Sequence, residues 1–186
     1  MNALYVAAKE VADFMESKKW KFCIIGGLAL QRWGEPRTTL DVDLTLLTGL
    51  GEEEKFITPL LSAFKPRVTD ALDFALSRRV LLLEASNGKA MDISLGGLPF
   101  ERAMISRAVM CEFTPDICLP VCTAEDLFVM KAFAGRGKDW HDAETVVIRQ
   151  EGRLNQRYIL KHLKVLCELK ETPEVVAQAE KILKLR

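Results

Sequence analysis

The sequence predicts an α/β (α+β) fold, a mixed β-sheet with flanking helices followed by a C-terminal helical bundle. Three observations lead there. Short apolar runs of strand length alternate with amphipathic helical segments as far as Val121. Beyond Val121 the apolar spacing is helical throughout. Two strand-length runs, residues 40–47 and 89–95, also carry carboxylates inside apolar surroundings, where charge is disfavoured unless it has a use. The division that follows is a core over residues 1–121 and a helical region over 122–186, expected to pack on that core.

Taken in order, Leu4, Ala7, Ala8, Val11, Phe14 and Met15 recur at helical spacing and predict a helix over residues 3–17. Residues 22–25 form a short buried strand, and Gly26-Gly27 turns it into a short helix ending near Gly34. Glu35-Pro36 breaks the chain before a strand over 40–47. Residues 52–64 look helical, with Pro59 either kinking that helix or starting another behind Thr58. A short helix over 70–77 precedes a strand over 79–85. The turn signal Ser86-Asn87-Gly88 then folds residues 89–95 back as an antiparallel partner. A helix over 98–106 and short strands over 108–113 and 117–121 complete the core. Thr123 caps the next helix, with Glu125-Asp126 in its first turn. Gly135-Arg136-Gly137 interrupts before another helix towards Arg149, and two more follow from Asn155, with a restart at Thr172-Pro173.

Composition narrows the class. Among 186 residues, 49% are hydrophobic and 28% charged, which allows a globular core and argues against disorder. Lys+Arg and Asp+Glu both number 26, so no general nucleic-acid coat is expected, although a local basic groove is compatible with zero net charge. No apolar stretch approaches the roughly 20 residues that span a bilayer, and no signal peptide is evident at the N-terminus. The expectation is a cytoplasmic protein. Five cysteines, an odd number, lie mostly in apolar runs and read as reduced, buried thiols.

The chemistry concentrates between Cys23 and Leu47. Strand side chains alternate faces, so Asp41 and Asp43 share one face while Leu40, Val42 and Leu44 take the other. Two carboxylates together repel and cost desolvation unless a cation neutralises them. A hard divalent ion such as Mg²⁺ suits them and keeps substrate phosphates among its other ligands. Gly26 and Gly27 supply a turn whose backbone N–H groups can approach a phosphate, with a helix N-terminus behind. Asp92, between Met91 and Ile93, repeats the anomaly on a second strand and would close a three-carboxylate cluster if the strands are neighbours.

Gly-Gly, 13 residues, Asp-x-Asp and a later lone strand Asp together resemble the DNA polymerase beta-like nucleotidyltransferase superfamily. The stretch from Thr123 through Lys131, Arg136, Lys138 and Asp139 to Asp142 is similar to a motif of a narrower branch. That branch includes the nucleotidyltransferase toxins of abortive-infection (type IV) toxin–antitoxin systems. The likeness covers residues 22–149; the superfamily often has serine after a single glycine, where this chain has Gly27.

The resemblance implies a mixed-sheet nucleotidyltransferase core in which Asp41, Asp43 and Asp92 are catalytic and hold metal. Asp92 would also draw the proton from the attacking hydroxyl. Two Mg²⁺ ions roughly 3.5–4 Å apart would stabilise the attacking and leaving oxygens. Gly26, Gly27, Arg37 and Lys131 would contact the nucleotide triphosphate. The implied activity is Mg²⁺-dependent transfer of an NMP group from an NTP to an acceptor hydroxyl on tRNA, protein or a small molecule. A toxin role with an antitoxin partner follows from the branch alone. Two alternatives stand beside it, a catalytically silent binding or antitoxin-like partner and a metal-dependent phosphohydrolase. Taken without the resemblance, Asp139 and Asp142 read as helix caps, Lys131 as a snorkelling lysine, and Arg37, Arg78, Arg79 and His141 as solvated.

Overall fold

In a computed structural model describing residues 2–184, the chain divides into two compact units. The first comprises Met1–Leu28 with Thr38–Cys122, and the second Ala29–Arg37 with Thr123–Arg186. No described helix is long and apolar enough to cross a membrane.

The first unit is built on a seven-stranded mixed sheet. Helix α1 (Ala3–Ser17) buries Leu4, Ala7, Ala8, Val11 and Met15 of the expected stripe, with Ala12 also buried and Phe14 only half-buried. Strand β1 (Phe22–Ile24) leads into α2 (Gly26–Trp33), whose first turn alone belongs to this unit. Strand β2 (Asp41–Leu47) pairs antiparallel with β1. Leu40 precedes the strand and lies exposed rather than in the core, because pairing starts only at Asp41.

Helix α3 (Glu54–Ala63) contains Pro59 without breaking. The missing N–H costs a single bond, the one to the carbonyl of exposed Lys55. The two-residue strand β3 (Lys65–Pro66) was not foreseen, since it has no alternation to read. Helix α4 (Ala71–Arg78), β4 (Val80–Glu84) and β5 (Ala90–Gly96) follow, with the hairpin at Ser86–Gly88 antiparallel as expected. Arg79 is not simply solvated. It pairs with Glu53 and donates to the carbonyls of Gly49 and Leu95, tying the loop after β2 to the end of β5. Helix α5 (Pro99–Arg107), β6 (Val109–Thr114) and β7 (Ile117–Val121) complete the sheet, ordered β3-β4-β5-β2-β1-β7-β6. The central pairs β2–β5 and β1–β7 are parallel and the others antiparallel.

The second unit is helical. Helix α6 (Ala124–Ala134), capped by the Thr123 hydroxyl, is buried on most sides and packs against α7 (Gly137–Gln150), α8 (Gln156–Lys170) and α9 (Glu174–Ile182). Asp126 at its first turn is fully buried and accepts from the hydroxyls of Tyr158 at 2.6 Å and Thr123 at 2.7 Å. The end of α2 is fastened here. Arg149 donates to the carbonyls of Gln31 and Gly34, Gln150 to that of Trp33, and the Glu35 amide to the Thr145 hydroxyl. These contacts satisfy carbonyls that a helix end leaves open. A Cβ on Gly34 would stand 2.7 Å from Thr145 Oγ1, so only glycine allows the approach. Four of the five cysteines are buried and outside any disulfide, and Cys118 is exposed.

Candidate active site

Strands β2 and β5 run parallel in a register that sets Asp43 directly beside Asp92 and Asp41 beside Ala90. Equal pleat phase puts Asp41, Asp43 and Asp92 on one face, while Val42, Leu44, Met91 and Ile93 fill the core on the other. One carboxylate oxygen from each aspartate lies within 4.8 Å of the others. All three side chains are half-buried. Burial pushes the Asp92 carboxyl above its ordinary range. The Arg67 guanidinium opposes that shift and the neighbouring Asp41 charge adds to it. An all-oxygen set with excess negative charge is the donor chemistry of a hard divalent cation, so these residues fit Mg²⁺.

The glycine turn lies against the same cluster. The Gly27 amide is 3.4 Å from Asp43 Oδ2, and the Ile25 amide donates to the Asp43 carbonyl. Gly26 has φ +59°, and a Cβ there would collide with the Asp43 carboxylate. A Cβ on Gly27 would stand 2.5 Å from Thr39 Oγ1. Both glycines are therefore required by close approach of the site's own side chains. Gly27 is buried beneath Asp43 and Thr39, whereas Gly26 remains partly open. The Thr39 hydroxyl, which donates to Asp41 Oδ1 at 2.9 Å, thus occupies space that a side chain at position 27 would need. Gly27→Ala is expected to cost about 1–3 kcal/mol through overpacking. Thr39→Gly in the same chain, which also removes the Thr39 Cβ that would lie 2.6 Å away, should recover much of that loss in urea denaturation. An unchanged midpoint for Gly27→Ala alone would show that Thr39 yields freely.

Arg67, two residues past Lys65, pairs with Asp92. It also lines a cleft of about 780 Å³ together with Leu61, Pro66, Val68, Asp70 and Leu72. The sequence offered little to mark Arg67, which follows a proline with no periodic pattern. Thr39 was legible only as the residue two before Asp41.

Arg37 and Lys131 belong to the second unit, where they meet on Asp142. Arg37 binds its carboxylate in bidentate fashion, with Nε and Nη2 each 3.0 Å from an oxygen. Lys131 Nζ lies 2.8 Å from Asp142 Oδ2 and 3.1 Å from Asp139 Oδ1. Arg136 completes the chain by donating to Asp139. Lys131 does not snorkel, since its side chain is only 10% exposed and ends on two carboxylates. Nor do Asp139 and Asp142 act as caps. No side chain caps α7, and both aspartates bind cations instead. Burial alone would raise both carboxyls, but hydrogen bonds from Arg136 and Lys131 to Asp139, and from Arg37 and Lys131 to Asp142, hold them below the ordinary range. Lys138 and His141 are exposed.

No protein-family model matches the sequence, and no curated protein matches it. Solved structures do. An antigenic nucleotidyltransferase-like protein from Paracoccidioides brasiliensis aligns over 95% of this chain and 92% of its own, with TM-score 0.54 and 15% identity. The solution structure of the antibiotic-resistance factor ANT(2'')-Ia aligns over 95% and 96%, with TM-score 0.55 and 15% identity. Identity at that level speaks for the backbone arrangement. Seven mixed strands with their flanking helices and the helical second unit give this chain the fold of nucleotidyltransferase-like proteins.

Proposed function

We propose that the protein is an enzyme transferring a nucleoside monophosphate from an NTP to an acceptor hydroxyl, with divalent cations held by Asp41, Asp43 and Asp92. The observation that carries this reading is the convergence of those three carboxylates from parallel strands beside the glycine turn. Mg²⁺, when bound, supplies charge neutralisation for the triphosphate and the departing pyrophosphate. The chain's residues do the rest. Gly26 and Gly27, opening α2, are the proposed phosphate contacts through backbone N–H groups; Gly26 is the partly open one, and the Gly27 amide would have to leave Asp43 Oδ2. Asp92 takes the proton of the acceptor hydroxyl, a role supported by its place beside Asp43 on the neighbouring strand, on the face that the three carboxylates share. The hydroxyl oxygen bonds to the α-phosphorus, the bond from the α-phosphorus to the bridging oxygen breaks, and pyrophosphate leaves.

The sheet order β1-β2-β5-β4-β3 has the glycine turn on one side of the aspartates and Arg67 on the other. That order supports an acceptor approaching from the Arg67 side, opposite the leaving group. Arg37 and Lys131 remain proposed triphosphate contacts. Either would have to share its positive charge between phosphate and Asp142. The acceptor is tRNA, a protein side chain or a small molecule. A cytoplasmic toxin role opposed by an antitoxin follows only from the likeness of residues 123–142.

Incubation with each α-labelled NTP, Mg²⁺ and a cell lysate tests the proposal. Label should pass to a discrete acceptor, and EDTA should abolish the transfer. Failure of every NTP to bind in a metal-dependent way would sink the proposal and favour a silent binding partner. Release of phosphate without a labelled acceptor would favour a phosphohydrolase.

A further inference from the structure

Arg67 stands at the end of one row across the sheet. Its amide donates to the Leu82 carbonyl at 3.0 Å, Leu82 pairs with Asp92, and Asp92 pairs with Asp43. From that anchorage the guanidinium reaches over β4 and binds Asp92 Oδ1. The pair is partly solvated, with side-chain exposures of 30% and 32%. A guanidinium so placed takes a lone pair of Asp92 Oδ1 and offsets the negative charge that would attract a divalent cation. The Arg67 side chain is not needed to hold the sheet edge, which is kept by backbone pairing of Lys65 with Glu84 and of Pro66 with Leu83 and by the Arg67 amide itself.

We infer that Arg67 is a displaceable counter-ion of the acidic cluster, exchanging with a divalent cation at Asp92 and thereby setting the metal affinity of the site. The inference rests on the proposed metal-binding role of the three aspartates. Arg67 acts through Asp92 and is a positioning residue. Its guanidinium neutralises Asp92 until a cation takes over.

Calorimetric titration of the full chain with Mn²⁺ tests the exchange, with circular dichroism confirming that each variant folds. Arg67→Gln should bind Mn²⁺ about twofold to fivefold more tightly than wild type, the scale of a partly exposed ion pair. Asp92→Asn should weaken binding, and in its background Arg67→Gln should add little. The Nε–H signal of Arg67 in ¹⁵N spectra should also move as Mg²⁺ is added to wild type. Equal or weaker Mn²⁺ binding by Arg67→Gln, with Asp92→Asn still damaging, overturns the exchange and leaves the metal site standing. Tightening of the same size in the Asp92→Asn background would reduce Arg67 to a long-range charge, which also overturns it. No Mn²⁺ binding to wild type removes both readings together.

Discussion

Asp92→Asn is expected to retain Mg²⁺·NTP binding while losing NMP transfer by about 10²–10⁴-fold, the range of a general base. The amide keeps the shape of the side chain but accepts no proton. Asp41 and Asp43, on the neighbouring strand beside the glycine turn, remain to hold the metal–triphosphate. The checks are nucleotide-dependent thermal shift for binding and transfer of α-label for turnover. Because burial raises the carboxyl of Asp92, its ionised form costs stability, and that cost is absent below the ordinary carboxylate pKa and grows as pH rises through the raised one. Asp92→Asn should accordingly melt no lower than wild type in EDTA at neutral pH. Full turnover by the variant would remove Asp92 from the chemistry.

Lys131→Met should destabilise the protein by about 3–5 kcal/mol, the scale of stripping one partner from a buried ion pair. The lysine serves two carboxylates, of which Asp139 is wholly buried and Asp142 nearly so. Arg136 and Arg37 remain but are more exposed, and cannot fully replace a buried ammonium. Urea denaturation at neutral pH measures the loss. The pH dependence has a definite sign. Both carboxyls titrate below 3.8 in the folded chain, so their contribution is complete above that pH and disappears as pH falls through the lowered values. The gap between wild type and Lys131→Met should therefore narrow in strong acid. Asp139→Asn with Asp142→Asn should also make Lys131→Met far less costly. A constant gap from neutrality to strong acid would mean that Lys131 matters for packing alone.

The acidic cluster was legible because strand alternation is a local rule. Asp41 and Asp43 share a face wherever they form a strand, and Asp92 inside Met91-Asp92-Ile93 is anomalous without any partner in view. The neighbourhood of β2 and β5 was less accessible, since parallel pairing joins residues 49 apart, Asp43 and Asp92. Arg37 and Asp142 are separated by 105 positions and meet through tertiary packing, so each looked like an ordinary polar residue near a helix end. Arg79 was misjudged for the same reason, its partners being Glu53, Gly49 and Leu95 rather than its neighbours. The strand β3 was too short for periodicity, and with it went any warning of Arg67.

The passage of the chain between units inside α2, after Leu28, carries a consequence for protein dissection. Severing the polypeptide after Cys122 would not liberate the helical half intact. Residues 29–37 would stay behind, depriving Asp142 of its bidentate arginine and leaving Arg149 and Gln150 without the carbonyls they bind. A transplant of this module into another protein thus has to carry two separate pieces of chain, and a single-junction graft brings an incomplete body.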